Sequence, residues 1–312
     1  MKLKNSIFSA LSMAAVILSI VPLQAQETST VKMTVTASVR GNKPVPQINS
    51  DEVFVKQGKE RLPVTEWVAA KGDRAGLDLF ILIDDASDTS LGSNLDDLRA
   101  FIKAQPNTTA VAVGYMRNAT VQITQDFTTD HASAANALRL PLGSEGAYGS
   151  PYLSVIDLMK RWPTNENRRS IIMVTDGIDR ARRGPDWHGI RINSDMDSAK
   201  DVAMKTGTII NTIYTPGVGY FRRNHWTAVS GQMTMGELAD LTGGQAFYLG
   251  LQSPVSFKPY LDQIQKAIDN QYLLSFTAKA GTKAKWQSVD LSTELSGVEL
   301  AAADSVWVPS LK

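Results

Sequence analysis

The sequence predicts a doubly wound α/β fold: a mostly parallel six-stranded sheet clad by helices, with a small β-rich unit beside it. Three observations lead there. Residues 77–83 and 171–174 are nearly continuous apolar runs, as strands buried on both faces require. Between residues 77 and 270 such runs alternate with helical patterns, and repeated strand–helix units imply a parallel sheet covered on both faces. At both ends of the chain the pattern changes to a two-residue alternation.

In chain order, Lys2 and Lys4 precede residues 7–23, which are apolar or small apart from Ser9, Ser12 and Ser19. Gln24, Ala25 and Gln26 follow. A basic start, an apolar middle and a small residue before a polar stretch describe a secretory signal peptide, residues 1–25. A membrane anchor would want basic residues beyond the run, and none follow closely. The expected location is therefore outside the cytoplasm, periplasmic or secreted, with no later run long enough to span a bilayer.

Residues 26–75 form the first β-rich segment. Val31, Met33, Val35, Ala37 and Val39 alternate with polar residues as a half-buried strand does, and short strands follow at 53–55 and 64–68. The central segment, 76–270, opens with the strand at 77–83. A helix then presents Leu95, Leu98, Phe101 and Ile102 as one stripe. Strands at 110–116 and 119–124 are separated only by Arg117-Asn118, a hairpin signal. A short helix near 133–138 comes next, then a helix with Ser150 as N-cap and Pro151 in its first turn. The series ends with a strand at 171–174, a helix at 194–206 stopped by Gly207, a strand at 208–214, a helix at 235–241, a strand at 246–249 and a helix at 258–270. In the last segment, 271–312, Tyr272, Leu274, Phe276 and Ala278 alternate again, with further strands at 286–291 and 306–308. The two β-rich ends are expected to pair with each other.

Composition narrows the function. A formal net charge of +1 gives no overall field favouring nucleic acid. The absence of cysteine excludes disulfides, thiolate metal sites and a cysteine nucleophile. His131, His188 and His225 are not spaced as a zinc pair and read as structural or surface residues.

Chemistry concentrates at strand tips. After the first buried strand, Asp85, Ser87 and Thr89 form a D-x-S-x-T pattern; Ser150 offers a hydroxyl at a helix head; Thr175-Asp176-Gly177 follows the 171–174 strand. These are hard oxygen donors, suited to Mg²⁺, Mn²⁺ or Ca²⁺. A shift of one residue would instead read Asp84, Ala86 and Asp88, a poorer donor set. The pattern resembles the von Willebrand factor A domain. Its metal-ion-dependent adhesion site uses D-x-S-x-S after the first strand, a threonine in a later loop and the Asp of T-D-G. Gly92 and Leu95 stand where that family has its glycine and first core leucine. The flanks resemble those of bacterial secreted proteins related to that family. The resemblance implies a divalent cation, Mg²⁺ first, held by Asp85, Ser87, Thr89, Ser150 and Asp176, with one position open to an acidic residue of a protein partner.

The loops expected around that edge carry arginine and aromatic residues, types enriched in binding hot spots. Arg180, Arg182, Arg183 and Trp187 follow Asp176, and Tyr220, Arg222, Arg223 and Trp226 follow the 208–214 strand. They are expected to face the partner. Catalysis is not expected. A phosphatase of similar architecture needs D-x-D, whereas Asp84 and Asp85 are followed at that distance by Ala86 and Ser87; neither a dinucleotide nor a P-loop glycine pattern is present. The expectation is a metal-dependent protein-binding module. Its alternative is a metal-independent scaffold with a vacated site.

Overall fold

The computed structural model describes residues 28–41, 43–180, 194–218 and 225–310; residues 1–25, expected to be a signal peptide, lie outside them. The chain begins with β1 (Thr28–Val39), β2 (Val53–Gln57), β3 (Glu60–Leu62) and β4 (Val64–Ala69). It continues through β5 (Leu77–Asp84), a 3₁₀ turn at Thr89–Asn94, α1 (Leu95–Lys103), β6 (Thr109–Arg117) and β7 (Thr120–Thr128). Next come α2 (His131–Asn136), α3 (Pro151–Lys160), β8 (Arg168–Thr175), α4 (Ser194–Lys205) and β9 (Thr208–Tyr214). Then α5 (His225–Leu241), β10 (Ala246–Phe247), α6 (Lys258–Asp269) and β11 (Gln271–Lys279) lead to β12 (Lys285–Ser288), β13 (Asp290–Thr293), β14 (Val298–Ala301) and β15 (Ser305–Val308).

The six-stranded sheet has the order β10-β9-β8-β5-β6-β7, and only β7 runs antiparallel. Chain direction reverses its lateral progress between β5 and β8, the switch point where open α/β sheets bind ligands beyond their C-terminal ends. All eight residues of β5 are buried. Its alternation divides the interior in two. Leu79, Ile81 and Ile83 pack with Leu98 of α1 and Ile264 of α6, while Phe80 and Leu82 pack with Tyr152 and Leu158 of α3 and Ala199 of α4. That parity also decides where the next side chains, Asp84 and Asp85, are sent.

The two chain ends do pair. β1 and β11 run antiparallel from Thr28 opposite Lys279 to Thr36 opposite Gln271, flanked by β14 and β4. Val31, Met33 and Val35 share a separate core with Leu274, Phe276 and Val306. Three boundaries differ from expectation. The 286–291 strand is two short strands, because β12 pairs with β15 whereas β13 pairs with β2. The 235–241 helix starts ten residues earlier, at His225. Its first half lacks an apolar stripe because it closes on the rim through Gly231, where an added Cβ would lie 2.3 Å from the Asp176 carbonyl oxygen. Strand β10 keeps two residues of the expected four.

Both crossings between the two sheet systems run past Arg168. Its guanidinium donates to the Ala75 carbonyl at 2.8 Å on the β4–β5 crossing, and to the Ile268 carbonyl and Gln271 Oε1 at the α6–β11 crossing. Burial pushes Arg168 down to about 10, opposed by Asp269, so it stays charged at neutral pH. Charged hydrogen bonds of this kind contribute about 1.5–3 kcal/mol each. Arg168→Ala is expected to lower unfolding free energy by roughly 3 kcal/mol in urea titration and to speed proteolysis at residues 70–76; an unchanged midpoint and digestion pattern would refute this role.

Candidate functional site

At the switch point β5 ends in two adjacent carboxylates that face opposite ways, as strand alternation requires. Asp84 continues the Phe80–Leu82 face. Its Oδ1 accepts the Ala86 amide at 2.9 Å and its Oδ2 accepts the Thr175 hydroxyl at 2.8 Å. Asp85 continues the Ile81–Ile83 face. There Arg139 grips both of its oxygens, at 2.7 and 2.8 Å, while the Leu142 amide donates to Oδ1 at 3.2 Å. Arg139 lies over the Tyr115 ring, 3.7 Å from its centroid. The Tyr115 hydroxyl in turn donates to the Arg139 carbonyl at 2.7 Å. Asp85 is thus the anchor of the 139–149 loop, whose Ser144 amide also donates to the Asp85 carbonyl at 2.8 Å.

Of the five expected metal ligands, Asp85 and Asp176 are turned to different arginines, Arg139 and Arg180. Ser150 lines a pocket with Asp84, and Asp176 lies within electrostatic reach of Asp84. Ser150 Oγ caps α3 by accepting from the Leu153 amide at 3.3 Å, and lines a small pocket with Asp84 and Glu145. Ser87 pairs its hydroxyl with that of Thr215 at 3.0 Å. Thr89 begins the 3₁₀ turn and is exposed. The shifted register, Asp84, Ala86 and Asp88, is the one whose first carboxylate shares surroundings with Ser150 and Asp176. Ala86 has no side-chain oxygen, and Asp88 accepts the Ser90 amide at 2.9 Å to cap that turn.

The charge at the centre is Arg180. Its guanidinium forks onto Asp176, with Nη1 donating to Oδ1 at 3.1 Å and Nη2 donating to Oδ2. Both side chains are almost wholly buried, 3% and 2% exposed. The arginine also lies within electrostatic reach of Asp84 and Glu145. Burial works against its charge, but these carboxylates outweigh it and hold Arg180 above its usual range. The Arg180 amide donates to the Gly149 carbonyl at 2.6 Å. Gly217 closes the other side: a Cβ there would stand 2.3 Å from Asp176 Oδ2 and 2.4 Å from Arg180 Nη2. The segment carrying Gly217 is stitched to the β5 tip by the Val218 amide on the Ala86 carbonyl and the Asp88 amide on the Pro216 carbonyl.

The implied divalent cation does not fit this donor set as folded. Asp176 spends both oxygens on Arg180, Asp85 spends both on Arg139, and Ala86 stands at a ligand position without a donor. Among the described residues no group of three or more His, Asp or Glu side chains could hold a metal ion. Arg180, expected on the partner-facing loop, is instead interior. Arg182, Arg183, Trp187, Tyr220, Arg222 and Arg223 lie outside the described residues. Trp226 is described and 81% exposed at the start of α5. His131 is structural, its Nε2 2.8 Å from the Thr109 carbonyl oxygen. Sequence reading missed Arg139 and Gly217, weighed Asp84 only as the poorer register, and placed Arg180 on the partner-facing loop. Strand parity was the available signal for Asp84, which shares its face with Phe80 and Leu82; nothing local distinguished Arg180 from the arginines after it.

Burial, reinforced by Asp176, pushes Asp84 up from 3.8 to about 6; Arg180, the Ala86 amide and the Thr175 hydroxyl pull the other way. A carboxyl with a raised folded pKa binds its proton more tightly when folded. Its contribution to stability is therefore greatest below pH 4, falls as pH rises from about 4 to 6, and levels off above that, a loss of roughly 3 kcal/mol. In Asp84→Asn, where the amide can keep both hydrogen bonds, that slope is expected to vanish. The stability of the wild type relative to this variant, from urea titrations across pH 4–8, should fall with rising pH; a constant or rising difference would contradict it.

No protein-family model matches this sequence, and no curated protein matches it. Solved structures do align with it. An aerotolerance-related membrane protein from Bacteroides fragilis is 15% identical, covering 62% of this chain and 99% of its own, with a TM-score of 0.41. BatB from Bacteroides thetaiotaomicron is 12% identical over 62% and 98%, with a TM-score of 0.42. The ArnB paralog VWA2 from Sulfolobus acidocaldarius is 10% identical over 91% and 76%, with a TM-score of 0.38. At such identities and scores the likeness concerns the chain path alone. The doubly wound sheet established above by its strand order has von Willebrand factor A-domain proteins among its structural neighbours.

Proposed function

We propose that this chain is an exported, non-catalytic protein-docking module that works without a resident metal ion and meets its partner through apolar side chains on the C-terminal rim of the sheet. The observation that carries the reading is where exposed apolar surface lies. Nine large hydrophobic side chains are exposed among the described residues: four sit on the segments that leave the parallel strands β9 and β10, and three on the 139–149 loop tied to the β5 tip. Leu140, Leu142 and Tyr148 belong to the loop tied down by Asp85; Trp226 opens α5; Tyr248, Leu249 and Val255 follow β10. The segments are linked. Asn94, at the end of the 3₁₀ turn, donates to the Pro254 carbonyl at 3.1 Å, and Gln232 of α5 donates to the Gly250 carbonyl at 2.5 Å. Exposed apolar side chains carried on rim segments that are bonded to one another suit a contact surface.

The metal-dependent alternative expects a coordination position open to a partner carboxylate. Against it stands the commitment of Asp176 to an internal arginine. A catalytic reading finds little support, because the buried polar groups at the switch point are paired with one another rather than aimed into an open cleft. Export rests on the signal-peptide pattern of residues 1–25. No helix among the described residues is long and apolar enough to cross a membrane.

The test compares wild type with Leu142→Ser/Tyr148→Ser, both as immobilised protein, against an extract of the native source in excess EDTA. A species retained by wild type under EDTA and lost from the double variant is expected. Release by EDTA, or equal retention by the double variant, would overturn the reading.

A further inference from the structure

The rim is built round one guanidinium, and its construction suggests what that group replaces. Among the described residues, the carboxylates of Asp176, Asp84 and Glu145 act on Arg180, two of them joined to it or to each other through Thr175 and the T-D-G turn. The hydroxyl-bearing Ser150 lines the same pocket as Asp84 and Glu145. Two backbone approaches leave the room it occupies. Gly217 stands where any Cβ would strike both Asp176 and Arg180, and a Cβ on Gly149 would come within 3.1 Å of the Arg180 Cβ. Arg180 is held by its own backbone as well as its side chain, through the Gly149 carbonyl. A side chain four residues beyond Asp176 thus folds back into the interior, charged, and is caged there.

We infer that Arg180 is a permanent internal counter-ion standing in the place of a divalent cation, and that removing its guanidinium would open the Asp84–Asp176 position to such an ion. The inference rests on the metal-independent half of the reading above and deepens it. The rim cannot be switched by ion supply, because its positive charge is covalently part of the chain. Chemistry supports the substitution. Two carboxylates with neighbouring hydroxyls and water are a sufficient donor set for Mg²⁺ or Mn²⁺, which keep several waters when bound. What excludes the ion is occupancy by a cation already forked onto one of those carboxylates. Ala86 and Asp88, at the remaining positions of the pattern, serve the cage through their backbone, which holds the Gly217 segment against the β5 tip.

The experiment uses the whole chain from residue 26 and Mn²⁺ alone. Wild type, Arg180→Ala, Arg180→Met, Asp176→Asn and the Arg180→Met/Asp176→Asn double variant are melted with and without the ion. Each single change is expected to lower the folding equilibrium constant by about 100-fold or more, as breaking one side of a buried pair does. The double variant should be at least about tenfold more stable than the two losses combined predict. Mn²⁺ should leave the wild-type melting temperature unmoved and raise that of Arg180→Ala saturably. A saturable rise in wild type, additive losses in the cycle, or a folded Arg180→Ala indifferent to Mn²⁺ would each overturn the inference. If Arg180→Ala does not fold, the wild-type titration and the cycle decide. No partner takes part in these measurements, so failure of apolar docking would leave them intact and is read separately.

Discussion

A carboxylate taken out of water needs a compensating charge, and at the head of this sheet the compensation is covalent. Asp176 and Arg180 lie almost wholly buried at the point where β5 and β8 end side by side. Desolvating two such ions costs several kcal/mol each, and breaking one side of the pair leaves an uncompensated charge worth about 3–5 kcal/mol. That constraint organises its surroundings. The glycine at 217 and the return of the chain past the β5 tip follow from fitting a planar guanidinium into a closed space, while α5 approaches the T-D-G turn beside it through Gly231.

The neighbouring carboxylate serves a different purpose one residue later. Asp85 faces the opposite core and holds Arg139, which in turn stacks on Tyr115 and fixes the 139–149 loop over the rim. Two adjacent aspartates therefore divide the labour: Asp84 faces the internal charge and Asp85 positions the surface above it. The apolar side chains at Leu140, Leu142 and Tyr148 are presented by that anchored loop. Below, Arg168 ties the crossings between the sheet systems, so the rim and the small β unit sit at opposite ends of the same strands.

Much of this was legible beforehand, for definite reasons. Strands buried on both faces announce themselves as apolar runs, and the alternation of Val31 to Val39 with that of Tyr272 to Ala278 foretold the pairing of the chain ends. Helix α3 was marked by its Ser-Pro start. Register at a strand tip is harder. A D-x-S-x-T pattern can be read from Asp85, but the pleat sends Asp85 to the wrong face, and a single residue of offset exchanges every donor. Arginine 180 was hidden for another reason. It sits in a run of arginines, and burial of one among them depends on space left by glycines at 149 and 217, which are distant in sequence and meet it only in the folded chain. The early turns of α5 escaped notice because Gly231 and its polar neighbours serve close approach to the T-D-G turn rather than an apolar stripe.

The most direct test of the account is anomalous diffraction from crystals of the chain from residue 26 onward, grown in excess Mn²⁺. The account predicts guanidinium density continuous with the Arg180 side chain between Asp176 and the β5 tip, and no manganese peak within coordination distance of Asp84 or Asp176. A manganese peak bridging those residues, with Arg180 turned out to solvent, would contradict it.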